Sequence, residues 1–142
     1  MAQPKTSLGF LLADASRLMR RVFKQRLEGS ELTLAQARTL VYISRHQGIR
    51  QVELAELLEI QPITLARLID QLAECGLVER RGDPLDRRAY QLFLTSAAAP
   101  QLDAIERVSE AIRVDALRDF SDNQAKQIMT ALGKIRDNLA AR

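Results

Sequence analysis

One cysteine, one histidine and no tryptophan stand in this sequence, and aromatic residues of any kind are scarce. A single cysteine, Cys75, cannot form an internal disulfide, which excludes the stapled scaffolds of small secreted domains. His46 has no second histidine or cysteine at metal-ligand spacing, so neither a metal nor another cofactor is expected. The glycines are scattered rather than gathered into a phosphate-cradling loop, and no nucleophile has a legible base partner, so the chain is not expected to be an enzyme. No apolar run approaches membrane-spanning length. The opening imitates a signal peptide, with Lys5 ahead of LGFLLA, but that apolar stretch is too short and its pattern continues through arginines. The expectation is a cytoplasmic protein without a membrane partner.

What is present is enough for one domain, since 46% of the 142 residues are apolar and can supply a core. The formal charge of +3 is modest for a nucleic-acid binder, and its distribution says more than its size. Residues 1–27 hold six basic side chains (Lys5, Arg17, Arg20, Arg21, Lys24, Arg26) against Asp14. Residues 61–95 hold five basic and five acidic side chains and are neutral. The excess positive charge therefore belongs to the first helix.

The pattern between 51 and 95 is the most informative. Leu65, Leu68, Ile69 and Leu72 make one apolar helical stripe, with Pro62 suited to the first turn and Gly76 to the left-handed position past the end. Ile63, Thr64, Ala66, Arg67 and Gln71 lie on the opposite face. Upstream, QVELAELLEI (51–60) has a stripe of Val52, Leu54, Ala55, Leu57 and Leu58, and two short helices so joined fit a helix-turn-helix. The turn between them commonly takes glycine for positive φ, and here the candidate is Glu59, so it is built differently or carries strain. Next come LVERR, a turn-rich GDPLDRRA, and YQLFLT, in which Tyr90, Leu92 and Leu94 alternate with Gln91 and Thr95. A hairpin directly after the two helices makes a winged helix.

On these residues the chain resembles the MarR family of regulators and is most similar to its SlyA type. The resemblance is carried by LTLAQARTLVYI (32–43), VELAELLEIQPITLARLIDQLAECGLVERR (52–81) and DPLDRRAYQLFLT (83–95), and Asp86, Arg87 and Arg88 match the family's wing signature of aspartate, any residue, arginine. It implies a mainly α fold with a small β-hairpin wing, a winged helix-turn-helix lobe at about 32–95, and N- and C-terminal dimerisation helices at about 6–28 and 98–141. It also implies a sequence-specific transcriptional regulator, such as a repressor, whose partner is double-stranded DNA. Pro62, Ile63, Thr64, Arg67 and Gln71 would serve the recognition helix, and Arg87 and Arg88 the wing, with Asp86 and Arg88 bracing the wing by a salt bridge. The chemistry agrees: an arginine forks onto guanine, and a narrow minor groove attracts another. Ile63 can pack on a thymine methyl or merely on a neighbouring helix.

The flanking helices pose the question of partners. Leu8, Leu11, Leu12, Ala15, Leu18, Met19, Val22 and Phe23 form a stripe on the first helix. A helix from about Ala98 to Arg118 is expected to bury Leu102, Ile105, Val108, Ile112 and Ala116. The last opens on a capping box, Ser121 to Gln124, and runs through Ala125, Ile128, Leu132, Ile135 and Leu139. Seam and resemblance together predict a homodimer on a pseudo-palindromic operator, the alternative being packing within one chain. Arg17 and Arg20, three apart, can meet one small aromatic carboxylate effector, or face DNA's field and water. Cys75 is expected to be a small packing residue rather than a redox switch. A rival from another class is a MarR-like protein-binding module that no longer reads DNA, motivated by the neutrality of the reading lobe.

Overall fold

The structure, a computed structural model, describes residues 7–142. Lys5 and the expected helix start near residue 6 lie outside the described residues. The elements run α1 (Leu8–Leu27), α2 (Leu34–Arg45), α3 (Gln51–Leu58), α4 (Pro62–Glu74), β1 (Val78–Asp83), β2 (Asp86–Leu94), α5 (Ala99–Ala116) and α6 (Asp122–Ala140). This is the mainly helical fold with one hairpin that the sequence predicts. The chain divides into a unit ending at Val108 and a unit from Ser109 to Arg142, so the division falls inside α5.

Local chemistry sets the helix ends. Thr33 and Gln36 form a reciprocal capping box at the start of α2, the Thr33 N–H donating to Gln36 Oε1 at 3.0 Å and the Gln36 N–H to Thr33 Oγ1 at 3.1 Å. His46 caps the other end of α2, its N–H donating to the Ile43 carbonyl at 3.0 Å. Pro62 stands in the first turn of α4, where its missing N–H costs nothing. Gly76 takes φ +74° beyond the end of α4, and the Leu77 N–H closes back on the Leu72 carbonyl at 3.0 Å. Between α3 and α4 the sharp turn is made by Glu59 at φ 56°, the sole positive-φ residue other than glycine among the described residues. The strain the sequence implies is therefore present, on the order of 1–2 kcal/mol.

The core of the first unit is a contiguous cluster in which Leu40, Ile43, Leu54, Leu65, Ile69, Leu72 and Leu92 are essentially inaccessible. Each such side chain contributes about 1.5–3 kcal/mol relative to exposure. Val52 and Leu57, placed on the buried stripe of α3 by their spacing, are instead exposed, because Leu54, Ala55 and Leu58 alone fill the space toward the core. The hairpin pairs Val78 with Leu94 through to Gly82 with Tyr90, then slips so that Asp83 faces Asp86. This ribbon is longer than the sequence implies, since the strands continue into GDPLDRRA. A third arm joins it: the Gly48 N–H donates to the Leu92 carbonyl and the Leu92 N–H to the Ile49 carbonyl, both at 2.9 Å, and Arg50 bridges to Gln91. Gly48, at φ +87°, passes close beneath the Phe93 ring, which a side chain there would meet at 3.4 Å.

The flanking helices leave apolar surface uncovered. On α1 only Leu27 is buried, and Leu8, Leu11, Leu12, Leu18 and Met19 are exposed. In α5, Ile105 and Ile112 are buried, Leu102 and Val108 half-buried, and Ala116 exposed, because α5 ends at that residue. Ser121 and Gln124 form the expected capping box of α6, yet α6 buries no residue at all; Met129, Leu132 and Leu139 are exposed.

Two stability outcomes follow. Leu65→Ala or Ile69→Ala is expected to cost about 2–5 kcal/mol in urea unfolding, whereas Ile63→Ala on the opposite face should stay within about 0.5 kcal/mol of the parent. Glu59→Gly is expected to stabilise by about 0.5–1 kcal/mol, by relieving the left-handed backbone against a more flexible unfolded chain. A loss on Glu59→Gly would show that the Glu59 side chain has a stabilising role.

Candidate nucleic-acid interface

Burial of Leu65, Ile69 and Leu72 fixes the rotation of α4 about its axis and turns Pro62, Ile63, Thr64, Arg67 and Gln71 outward. Ile63 is 65% exposed and is not consumed by a neighbouring helix. Thr64 and Arg67 have no hydrogen-bond or ion-pair partner among the described residues, so hydroxyl and guanidinium are both available. Gln71 is partly committed: its Oε1 accepts from Gln36 Nε2 at 3.0 Å, which orients the amide and leaves its N–H groups to donate.

The cations of the hairpin divide into two kinds. Arg80 shares the inward side of β1 with buried Val78, two residues before it, and its guanidinium clamps three elements together. Nε donates to Gln51 Oε1 on α3 at 3.0 Å, and Nη2 to the Ala66 carbonyl at 3.2 Å and Asp70 Oδ1 at 2.7 Å, both on α4. Arg81 points the other way, bonded to Glu79 and stacked over the Phe93 ring at 3.9 Å. Charge counting treats these two like the others; strand parity with Val78 is the signal that separates them. Arg87 and the guanidinium of Arg88 are exposed and have no protein partner among the described residues.

The expected salt bridge between Asp86 and Arg88 is not the one that forms. Asp86 Oδ1 accepts the backbone N–H of Arg88 at 3.0 Å, the geometry open to an aspartate two residues before a donor in a tight turn. The ion pair at the wing is Asp83 with Arg50, Nε to Oδ2 at 2.7 Å, while Asp83 Oδ1 accepts the Leu85 N–H at 2.8 Å. Spacing in the sequence does not announce this pair, because 33 positions separate the two residues. The Leu85 N–H first, and the Arg50 guanidinium with it, hold the Asp83 carboxyl below the usual aspartate range against the opposing effect of burial.

Arg17 and Arg20 are not brought to a shared acceptor. Arg17 reaches back to Asp14 at 3.5 Å and Arg20 donates to Ser16 Oγ at 2.6 Å, each one turn earlier on α1. Cys75 caps α4 and is exposed, which overturns its reading as a packing residue: the stripe of α4 has ended before it. Among the described residues no cluster of His, Cys, Asp and Glu could hold a metal ion, and no helix is long and apolar enough to cross a membrane.

Helix, turn, exposed second helix and hairpin in this order define a winged helix-turn-helix protein. Residues 30–89 match the model of the MarR family. The chain is also similar to the crystal structure of a MarR, with 29% identity and a TM-score of 0.86, over 99% of this chain and 96% of that one. A MarR transcriptional regulator from Methanosarcina mazei Go1 has 25% identity and a TM-score of 0.83, over 94% and 96% of the two chains. At 24% identity, MepR from S. aureus, solved as a DNA complex, shares the fold with a TM-score of 0.71 over 93% and 98%.

Arg80→Ala is expected to destabilise by about 1–3 kcal/mol in chemical unfolding, through its lost bonds to α3 and α4 rather than any lost surface charge. For Asp83 the sign of the pH effect follows from its lowered value. Its contribution is complete above the ordinary aspartate pKa and is lost as the pH falls through the lowered folded value. The difference in unfolding midpoint between parent and Asp83→Asn should therefore be present at pH 7 and shrink below about pH 4.

Proposed function

We propose that this protein is a sequence-specific transcriptional regulator of the MarR family that binds double-stranded DNA as a homodimer. The observation that carries the reading is the division of cations: Arg80 and Arg81 are used within the domain, while the guanidinium groups of Arg67 on α4 and of Arg87 and Arg88 on the wing have no partner among the described residues. In this reading α4 enters a major groove, with Thr64, Arg67 and Gln71 toward phosphates and base edges and Pro62 and Ile63 at its entry. Arg87 and Arg88 enter the adjacent minor groove, whose negative potential is strongest where it is narrow. Neutrality of residues 61–95 is then no objection, because Asp70, Glu79 and Asp83 are held by Arg80, Arg81 and Arg50, which leaves Arg67, Arg87 and Arg88 against Glu74 and Asp86.

Exposed apolar side chains on α1 and α6 support the homodimer, since such stripes rarely face water in an isolated chain. A two-fold dimer implies a pseudo-palindromic operator with half-sites about one DNA turn apart, roughly 34 Å. Bound across a promoter, such a dimer acts as a repressor, and the site of action is the cytoplasm. The SlyA-type assignment rests on the segments 32–43, 52–81 and 83–95 and belongs to this proposal. So does a small aromatic carboxylate effector held by Arg17 and Arg20 on α1, which would have to draw them from Asp14 and Ser16. The rival, a protein-binding module that has left DNA, has the neutral lobe in its favour and the unpartnered Arg67 and Arg87 against it.

Gel shifts on random genomic fragments at two salt concentrations test the reading, because phosphate binding weakens steeply as salt rises. Arg67→Ala is expected to relax base preference at a cost of about 1–3 kcal/mol, and Arg87→Ala to weaken binding through the flanking minor groove. Absence of any salt-sensitive shift would leave the protein-binding rival standing. Sedimentation should give twice the 16.0 kDa chain mass, and a monomer at micromolar concentration would contradict the dimer.

A further inference from the structure

The wing is supported along only part of its length. Residues 48–50 pair with β2 as far as Gln91, and beyond that point a cleft of about 320 Å³ opens, with Gln51, Val52 and Pro62 on one wall and Arg88, Ala89 and Tyr90 on the other. Arg50 lines this cleft and donates to Asp83, the last residue of β1, at the point where the register of the ribbon slips. The Asp83 side chain is 3% exposed and is the one buried charged group among the described residues. Both of its oxygens are used, one on Arg50 and one on the Leu85 N–H of the turn.

The other end of the pair is equally fixed. Arg50 caps α3, its carbonyl accepting the Leu54 N–H at 3.0 Å and its own N–H donating to Glu53 Oε1 at 3.2 Å, and its backbone bridges to Gln91. From these constraints we infer that Arg50 and Asp83 are positioning residues whose ion pair sets the angle of the outer wing to α4, and with it the separation of Arg67 and Arg87 that lets one domain engage two grooves. The inference rests on the DNA-binding reading above. Neither residue touches DNA in this account; each acts through the placement of Arg87.

Electrostatics and positioning predict opposite signs for one substitution. Asp83→Ala removes a negative charge from a DNA-facing lobe, so charge alone would tighten binding. Loss of the tether would weaken it. The experiment is equilibrium binding and hydroxyl-radical footprinting of parent, Asp83→Ala, and the swap of Arg50→Asp with Asp83→Arg on a fragment selected by the parent. Asp83→Ala is expected to bind roughly tenfold more weakly, losing protection over the flanking minor groove while retaining it over the central major groove. The swap is expected to restore flank protection. If Asp83→Ala fails to fold, Asp83→Asn keeps an acceptor for the Leu85 N–H, loses the ion pair and gives the same readout. Binding as tight as the parent's with an intact flank, or an equal loss of both regions by a folded variant, would overturn the inference alone. A parent that shifts no fragment would overturn the DNA-binding reading and this inference with it.

Discussion

Burial of one face of α4 is the constraint on which everything else depends. With Leu65, Ile69 and Leu72 sealed against Leu40, Ile43, Leu54 and Leu92, the helix cannot rotate without exposing several large side chains, each worth a few kcal/mol. The outward direction of Thr64 and Arg67 is thus a by-product of core packing, and a reading face needs no further device to orient it. Even the strained Glu59 belongs to this constraint, because its left-handed backbone turns the chain sharply enough for α3 and α4 to share one core.

Charge in the lobe is governed by a second, weaker layer of interactions. Arg80 is spent on Gln51, Ala66 and Asp70, Arg81 on Glu79 and Phe93, and Arg50 on Asp83. Most of these groups are partly exposed, so each contributes modestly to stability, but together they tie β1 to α3 and α4. They also select which cations remain for an outside partner. A lobe that is neutral by count can still present positive charge, provided its acidic residues are held by cations already bonded within the domain.

Much of this was legible in the sequence wherever the governing interaction is local or periodic. The stripe of α4, Pro62 at its start, Gly76 past its end, Glu59 in its approach and the Ser121 capping box each depend on residues within a turn of one another, and each stands where its spacing implies. Contacts made across the fold were not legible. Arg50 and Asp83 are 33 residues apart, and the third arm of the wing, residues 48–50, has no alternation to announce it. The side-chain pair of Asp86 and Arg88 that the family resemblance implies does not form, because a tight turn offers the aspartate a backbone donor first. Val52 and Leu57 show the same limit on α3, where periodicity gave the face but not how much of it the core would cover.

The central claim is that packing leaves two separate cationic elements, α4 and the wing, for two grooves of one DNA site. Photocrosslinking from positions 67 and 87 to a bound fragment tests it most directly. The account predicts crosslinks from position 67 to bases in a major groove and from position 87 to the adjacent minor groove, each repeated about a dyad. Crosslinks from only one position, or from both to the same groove, would contradict it.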